Sequence, residues 1–186
     1  MTPDRSIHRQ TRLFNAGQGI YRAGDPGLAW RLKRGVVRLD GADGFANLAI
    51  AGDIVGCETL LFGTFTFTAS ALTACELIPW PEGDATPAGE SLLASLAMAQ
   101  RRAAELIALR GGQAADRVLG LIRLLADPSG QVILPTRQDI ADITDLRFET
   151  LSRIIKHLER SHILQPIRIN GIHATRSFAL APVAGY

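Results

Sequence analysis

The chain has 186 residues, 47% of them hydrophobic and 20% charged, with a formal net charge of +2. That composition suits one large folded domain or two small ones and excludes a disordered chain. No apolar run reaches bilayer-crossing length, residues 1–12 lack the apolar stretch of a signal peptide, and Cys57 and Cys75 form neither a disulfide framework nor a zinc spacing, so a cytoplasmic protein with reduced thiols is expected.

Residues 1–86 read as short strands separated by glycine-rich turns. Arg12–Phe14, Gly19–Arg22, Ala29–Lys33, Val36–Leu39, Ala46–Ile50 and Phe67–Leu77 are the expected strands. Gly17, Gly19, Gly24, Gly27, Gly41, Gly44 and Gly52 mark the turns between them. Closely spaced short strands predict a sandwich or barrel-like roll. Pro79, Pro81, Gly83 and Pro87 close the segment.

A helical pattern starts at Gly89. Leu92, Leu96, Ala99, Ala103, Leu106 and Arg110 recur at alternating spacings of four and three, as in a coiled-coil seam, which predicts a dimer interface. Leu93, Ala97, Ala104 and Ile107 form a second apolar stripe, assigned to packing against the roll. An amphipathic helix buried within one chain is the alternative. Gly111-Gly112 then reads as a hinge, Ala114–Ala126 as a further helix and Gln131–Leu134 as a strand.

Residues 137–156 carry the densest signal. Thr136 and Asp139 have the spacing of a capping box, and Ile140, Ala141 and Ile143 continue a short helix. Asp145 falls in the turn, where a left-handed residue is often needed and Asp tolerates it. In the next helix, Phe148–Arg160, Leu151, Ile154, Ile155 and Leu158 follow the i, i+3, i+4, i+7 spacing of one buried face. Glu149, Ser152, Arg153 and Lys156 lie on the opposite face, where they can meet base edges or phosphates. The pattern is that of a DNA-binding helix-turn-helix. Beyond it, Asn170-Gly171 between two apolar segments predicts a hairpin, the wing of a winged helix.

Charge agrees with that placement. Residues 1–86 hold 8 basic and 9 acidic side chains, whereas residues 147–176 hold 6 against 2. A phosphate-binding surface needs such a concentration, although a solvated charged face also shows one.

Taken together, a strand roll, one long helix and a C-terminal winged helix resemble the Crp/Fnr family of bacterial transcription regulators over nearly the whole chain. In the roll the resemblance rests on residues 20–25, 32–39 and 52–56, and in the C-terminal part on Thr136–Ala141 and Glu149–Arg153. The Glu-x-x-Ser-Arg pattern is similar to the Fnr-like branch rather than the cyclic-AMP receptor branch, which typically has Gly in place of Ser.

The resemblance implies an α+β fold with an antiparallel, jelly-roll-type β-roll like a cyclic-nucleotide-binding domain over residues 1–86. It further implies a dimerisation helix and hinge over 87–112 and a winged helix-turn-helix over 113–186. It implies base contacts by Glu149, Ser152 and Arg153. Phosphate contacts would come from Thr136, Arg137, Gln138, Arg147, Thr150, Lys156, Arg168 and Asn170. Its partners would be palindromic double-stranded DNA, a second copy of the chain and RNA polymerase, with no membrane. Two departures are Phe148, where the cyclic-AMP branch has Arg or Pro, and Arg147, where a capping Ser or Thr is expected.

In family rolls that bind cyclic nucleotides, a Gly-Glu pair and an arginine hold the ligand. Here residues 56–66 have Cys57 after Gly56 and no arginine, and no Lys or Arg occurs between Arg38 and Arg101. A buried phosphate without a cation is costly, so cyclic-nucleotide dependence is not expected. An N-terminal cysteine cluster for iron–sulfur sensing is missing, and no histidine lies between His8 and His157 to join Cys57 on haem or to build a metal-dependent cupin. No cofactor, no metal and no catalytic residue are expected; Cys57 and Cys75 read as strand thiols. Either the roll holds an apolar or neutral effector or it is a fixed scaffold. A winged helix that docks another protein instead of DNA is a further reading.

Overall fold

The computed structural model describes residues 10–81, 88–169 and 176–181. They form two compact units, residues 1–104 and 105–186.

In the first unit, β1 (Arg12–Phe14), β8 (Cys75–Pro79), β3 (Trp30–Arg34) and β6 (Ile54–Val55) make one antiparallel sheet in the order β1-β8-β3-β6. A second sheet runs β2-β7-β4-β5, from β2 (Gly19–Tyr21), β7 (Thr68–Ala71), β4 (Val36–Gly41) and β5 (Gly44–Ile50). Trp30, Leu32, Cys75 and Leu77 from the first sheet and Val37, Ala49, Ala69 and Ala71 from the second share one buried core. Removing such side chains from water is the main drive for the roll.

One expected strand proves to be two. Phe67–Leu77 breaks at residues 72–74, because the chain there leaves one sheet for the other. The backbone ladder ends at this crossing, and the Thr73 hydroxyl takes its place by accepting from the Val36 N–H at 2.9 Å. β6 and the four-residue helix α1 (Thr59–Phe62) are too short to show a period in the sequence.

The long helix α2 (Ala88–Arg110) corrects the reading of its two stripes. Ser95, Ala99 and Arg102, at i, i+4 and i+7, face the roll. Ser95 accepts from the Ile54 N–H at 2.7 Å, the Asn47 amide donates to the Ala99 carbonyl at 3.2 Å, and Arg102 reaches the Leu48 carbonyl at 2.9 Å. Arg31 also donates to the Ser91 hydroxyl. Of the six residues expected at a dimer seam, Leu92, Ala99 and Ala103 are half-buried in their own chain and Leu106 is buried; Leu96 and Arg110 are exposed. The stripe assigned to the roll faces outward instead, with Leu93 68% and Ile107 72% exposed and Ala97 and Ala104 open beside them. Polar residues made the difference. Ser95 and Arg102 carry the docking face, and a purely apolar period does not register them.

In the second unit, α3 (Ala114–Leu125), α4 (Arg137–Thr144) and α5 (Phe148–Arg160) pack on one another. They bury Val118, Leu121, Ile122, Ile140, Ala141, Ile143, Leu151, Ile155 and Leu158. A three-stranded antiparallel sheet stands beside them in the order β10-β11-β9, from β10 (Leu164–Pro166), β11 (Ser177–Leu180) and β9 (Gln131–Ile133). Three helices with this small sheet are a winged helix. The expected Asn170-Gly171 turn, Asn170 itself and His173 lie outside the described residues.

Candidate nucleic-acid interface

Local sequence fixes how α4 and α5 meet. The Thr136 hydroxyl accepts from the Asp139 N–H at 3.1 Å while the Asp139 carboxylate accepts from the Thr136 N–H at 3.2 Å, the reciprocal cap expected from their spacing. Asp145 ends α4 in the left-handed conformation, φ 53° and ψ 50°, and the next N–H, of Leu146, bonds back to the Ala141 carbonyl at 2.9 Å. This turn lets Leu146 and the fully buried Leu151 bracket the start of α5 in the positions of a hydrophobic staple. Arg147 opens α5 without a side-chain cap, as it must, because a guanidinium has no acceptor for the first-turn N–H groups; its side chain is exposed.

The buried side of α5 leaves Glu149, Arg153 and Lys156 exposed on the other. Among the described residues no ion pair joins Glu149 to Arg153. The Arg153 Nε instead donates weakly to the Glu149 backbone carbonyl at 3.4 Å, leaving the fork of the guanidinium and the whole carboxylate open. Ser152 differs from expectation. Its hydroxyl is buried with no hydrogen-bond partner, so a base contact from it requires another χ1 rotamer.

The phosphate candidates fall into two sets. Thr136 and Gln138 are engaged locally, Thr136 in the cap and Gln138 with the Asp142 carboxylate at 2.8 Å. Arg147, Lys156 and Arg168 are exposed, and Arg137 and Thr150 are half-buried. Arg137 lies on the wall of a cleft of about 290 Å³ that also holds Leu134, Pro135, Ile155 and Arg176. Sequence reasoning missed Arg176. Its neighbours in the chain show no period, and only the fold sets it across from Arg137.

Cys75 is buried and its thiol is pushed up to about 11, chiefly by burial; burial also raises the half-buried Cys57, with Glu58 adding to it. Neither thiol is poised as a nucleophile. Among the described residues no three His, Cys, Asp or Glu side chains gather to hold a metal ion. Nor is any described helix long and apolar enough to cross a membrane.

The nitrogen fixation regulation protein FixK of Bradyrhizobium diazoefficiens is 30% identical to the chain, the match covering 87% of this chain and 81% of that protein. The chain belongs to the Crp/Fnr family. FixK of Rhizobium meliloti is 27% identical over 84% of the chain and 78% of its own length. No protein-family model matches. The fold is shared with FixK2 from Bradyrhizobium japonicum, at a TM-score of 0.67, 23% identity and 92% of each chain. It is shared also with a CRP/FNR-family transcriptional regulator from Thermus thermophilus, at 0.64 and 24% identity over 92% of this chain and 93% of that one. Like these relatives, the chain is a DNA-binding transcription regulator of the family, a β-roll followed by a winged helix-turn-helix.

Proposed function

We propose that the regulator acts as a homodimer on a palindromic site, one α5 entering the major groove of each half-site, with groove centres about 34–36 Å apart. The observation that carries this reading is the open pair on α5. Arg153 presents an unpaired guanidinium fork suited to guanine O6 and N7, and Glu149, one turn before it, presents a carboxylate suited to a cytosine amine. Both belong to the Fnr-like Glu-x-x-Ser-Arg pattern. Arg137 and Arg176 across their cleft, with Arg147, Lys156 and Arg168, supply cations for the backbone, and the α4 N-terminus adds its dipole. Thr136, Gln138 and Thr150 are further phosphate contacts, and the resemblance adds Asn170.

The dimer seam runs along the outward stripe of α2, through Leu93, Leu96, Ala97, Ala104 and Ile107. An apolar stripe this long on a helix already docked by its other face calls for a partner, and small Ala97 and Ala104 permit close approach.

Control does not pass through a cyclic nucleotide. By resemblance its phosphate belongs beside residues 56–66, and there the ring of Phe65 stacks on Tyr21 with centroids 3.8 Å apart. Phe65 leaves no room for a side chain at either glycine it covers, since a Cβ would stand 2.1 Å from the ring at Gly27 and 2.6 Å at Gly56. The Tyr21 phenol is raised far above its ordinary value, first by burial and then by Glu58. An aromatic plug thus sits where an anion needs a cation. A second reading, gating by a small, mostly apolar effector, is favoured by one observation, a cavity of about 260 Å³ lined by Phe14, Ile20, Tyr21, Trp30, Phe65 and Leu77, together with Arg12 and Asp25.

Selection of bound duplexes from a random DNA pool, with and without added cyclic AMP, tests the reading. A two-fold symmetric site recovered equally in both arms is expected. Recovery of no sequence at low ionic strength, or only with the nucleotide present, would refute it.

A further inference from the structure

We infer that the roll binds a free α-amino acid with an apolar side chain, in the cavity of about 260 Å³ that both of its sheets line. The inference rests on the second reading above, that this cavity takes a small effector, and names the class. Arg12 decides it. In the ladder of β1 with β8, Arg12 stands opposite the fully buried Leu77 and two residues before Phe14, which packs on the core, whereas Leu13 between them is 72% exposed. Directly opposed residues share one face of a sheet, so an arginine holds a core-facing position at the mouth of the cavity. Its guanidinium lies over the Trp30 ring, 4.6 Å from the centroid. Among the described residues it has no ion pair and no side-chain hydrogen bond. The ring takes one face of the guanidinium and leaves its fork of N–H donors open, and a carboxylate is the group that fork fits.

The opposite charge lines the same cavity. Asp25, exposed between β2 and β3, has no ion pair with Arg12 or with any other described residue. The remaining walls are chiefly aromatic and aliphatic, with Trp30, Phe65 and Leu77 buried at the base. A purely apolar ligand would leave both charges facing it without partners. A carboxylate alone would meet Asp25, and an amine alone would meet Arg12. An α-amino acid answers all three features, with its carboxylate on Arg12, its ammonium on Asp25 and its side chain on the rings. The volume lies below the roughly 300–1,000 Å³ of sites for drug-sized molecules, as a ligand this small requires.

Calorimetric titration of the full-length protein with L-phenylalanine, L-leucine, phenylpropionate, phenethylamine and toluene tests the assignment. At least one of the two amino acids is expected to bind. Deleting the ammonium, as in phenylpropionate, or the carboxylate, as in phenethylamine, should weaken binding at least about tenfold, the ratio for losing one hydrogen bond to a charged group. Arg12→Gln and Asp25→Asn, whose folds are checked by melting temperature, separate the two ends of the ligand. Arg12→Gln should weaken the amino acid without weakening phenethylamine, and Asp25→Asn should weaken it without weakening phenylpropionate. Loss of the Trp30 contact alone would not produce that crossed pattern. Toluene bound as tightly as phenylalanine would overturn the inference and leave an apolar effector standing. Binding of neither amino acid, or amino-acid binding that survives both substitutions, would overturn it as well. An amino acid that binds in the crossed pattern but leaves affinity for the selected DNA site unchanged would uphold the inference and refute gating.

Discussion

Arg102 donates to both carboxylate oxygens of Asp53, at 2.5 and 3.2 Å, with 4% and 7% of the two side chains exposed. The pair joins the long helix to the turn after β5, and Asp53 is held in place by accepting also from the Ile50 N–H at 2.7 Å. It settles which way α2 faces. A guanidinium withdrawn from water must keep its partner, so any rotation of the helix that exposed Ala99 would strand a buried charge.

Removing one partner therefore costs more than the pair itself contributes. Arg102→Ala or Asp53→Ala is expected to destabilise the roll by about 3–5 kcal/mol, and the double variant by less than the sum of the two. Urea unfolding of the four proteins measures the coupling. Additive losses would show that the two groups do not depend on each other.

The outward face of α2 gives a prediction of opposite kind. Leu93→Asp with Ala97→Asp should leave the fold intact, because both positions are exposed, yet yield a monomer in sedimentation equilibrium. The monomer should then bind one half-site with far lower affinity than the dimer binds the palindrome. Dimers that survive both charges would place the seam elsewhere.

Much of this was legible in the sequence, and the exceptions share a cause. Capping at Thr136 and Asp139, the left-handed Asp145 and the buried face of α5 are local, decided by residues within a turn or two, and they stand where the spacing put them. The stripe assigned to the roll turned out exposed because both stripes of α2 repeat with nearly the same period; a hydrophobic count cannot choose between them when Ser95 and Arg102 do the docking. Phe65 is similar. It lies just before the expected strand at Phe67, in a segment read only for the cation it lacks, and only the tertiary fold lays its ring on Tyr21 and over Gly27 and Gly56. Arg176 met Arg137 across a cleft for the same reason.

Alkaline pH should reveal the buried thiol. The Cys75 proton is held to about 11 in the fold against 9 ordinarily, so between those values the unfolded chain has released a proton that the native one keeps. Fewer protons on the unfolded state means stability falls as pH rises. The contribution is fully present below about 9 and is lost on the way to 11. Tyr21 bends stability the same way in any variant that retains it. Comparing wild type with Cys75→Ala therefore isolates the thiol, and the variant should show the shallower decline over this range. Parallel curves would mean the thiol titrates as it does in water.

On α5, Arg153 and Lys156 should separate sequence reading from charge. Both are exposed cations less than one turn apart, so a purely electrostatic surface would treat them alike. The Arg153 fork is planar and open, and its bidentate match to guanine is expected to make Arg153→Ala lose about 1–3 kcal/mol of discrimination at one G·C pair per half-site. A single ammonium has no such geometry. Lys156→Ala should weaken all duplexes alike and lower the dependence of log affinity on log salt by about one per half-site. Binding titrations at several salt concentrations, against the selected site and against a duplex altered at each G·C pair, distinguish the two. Equal and uniform losses from both variants would make Arg153 a phosphate contact and leave base reading to other residues of α5.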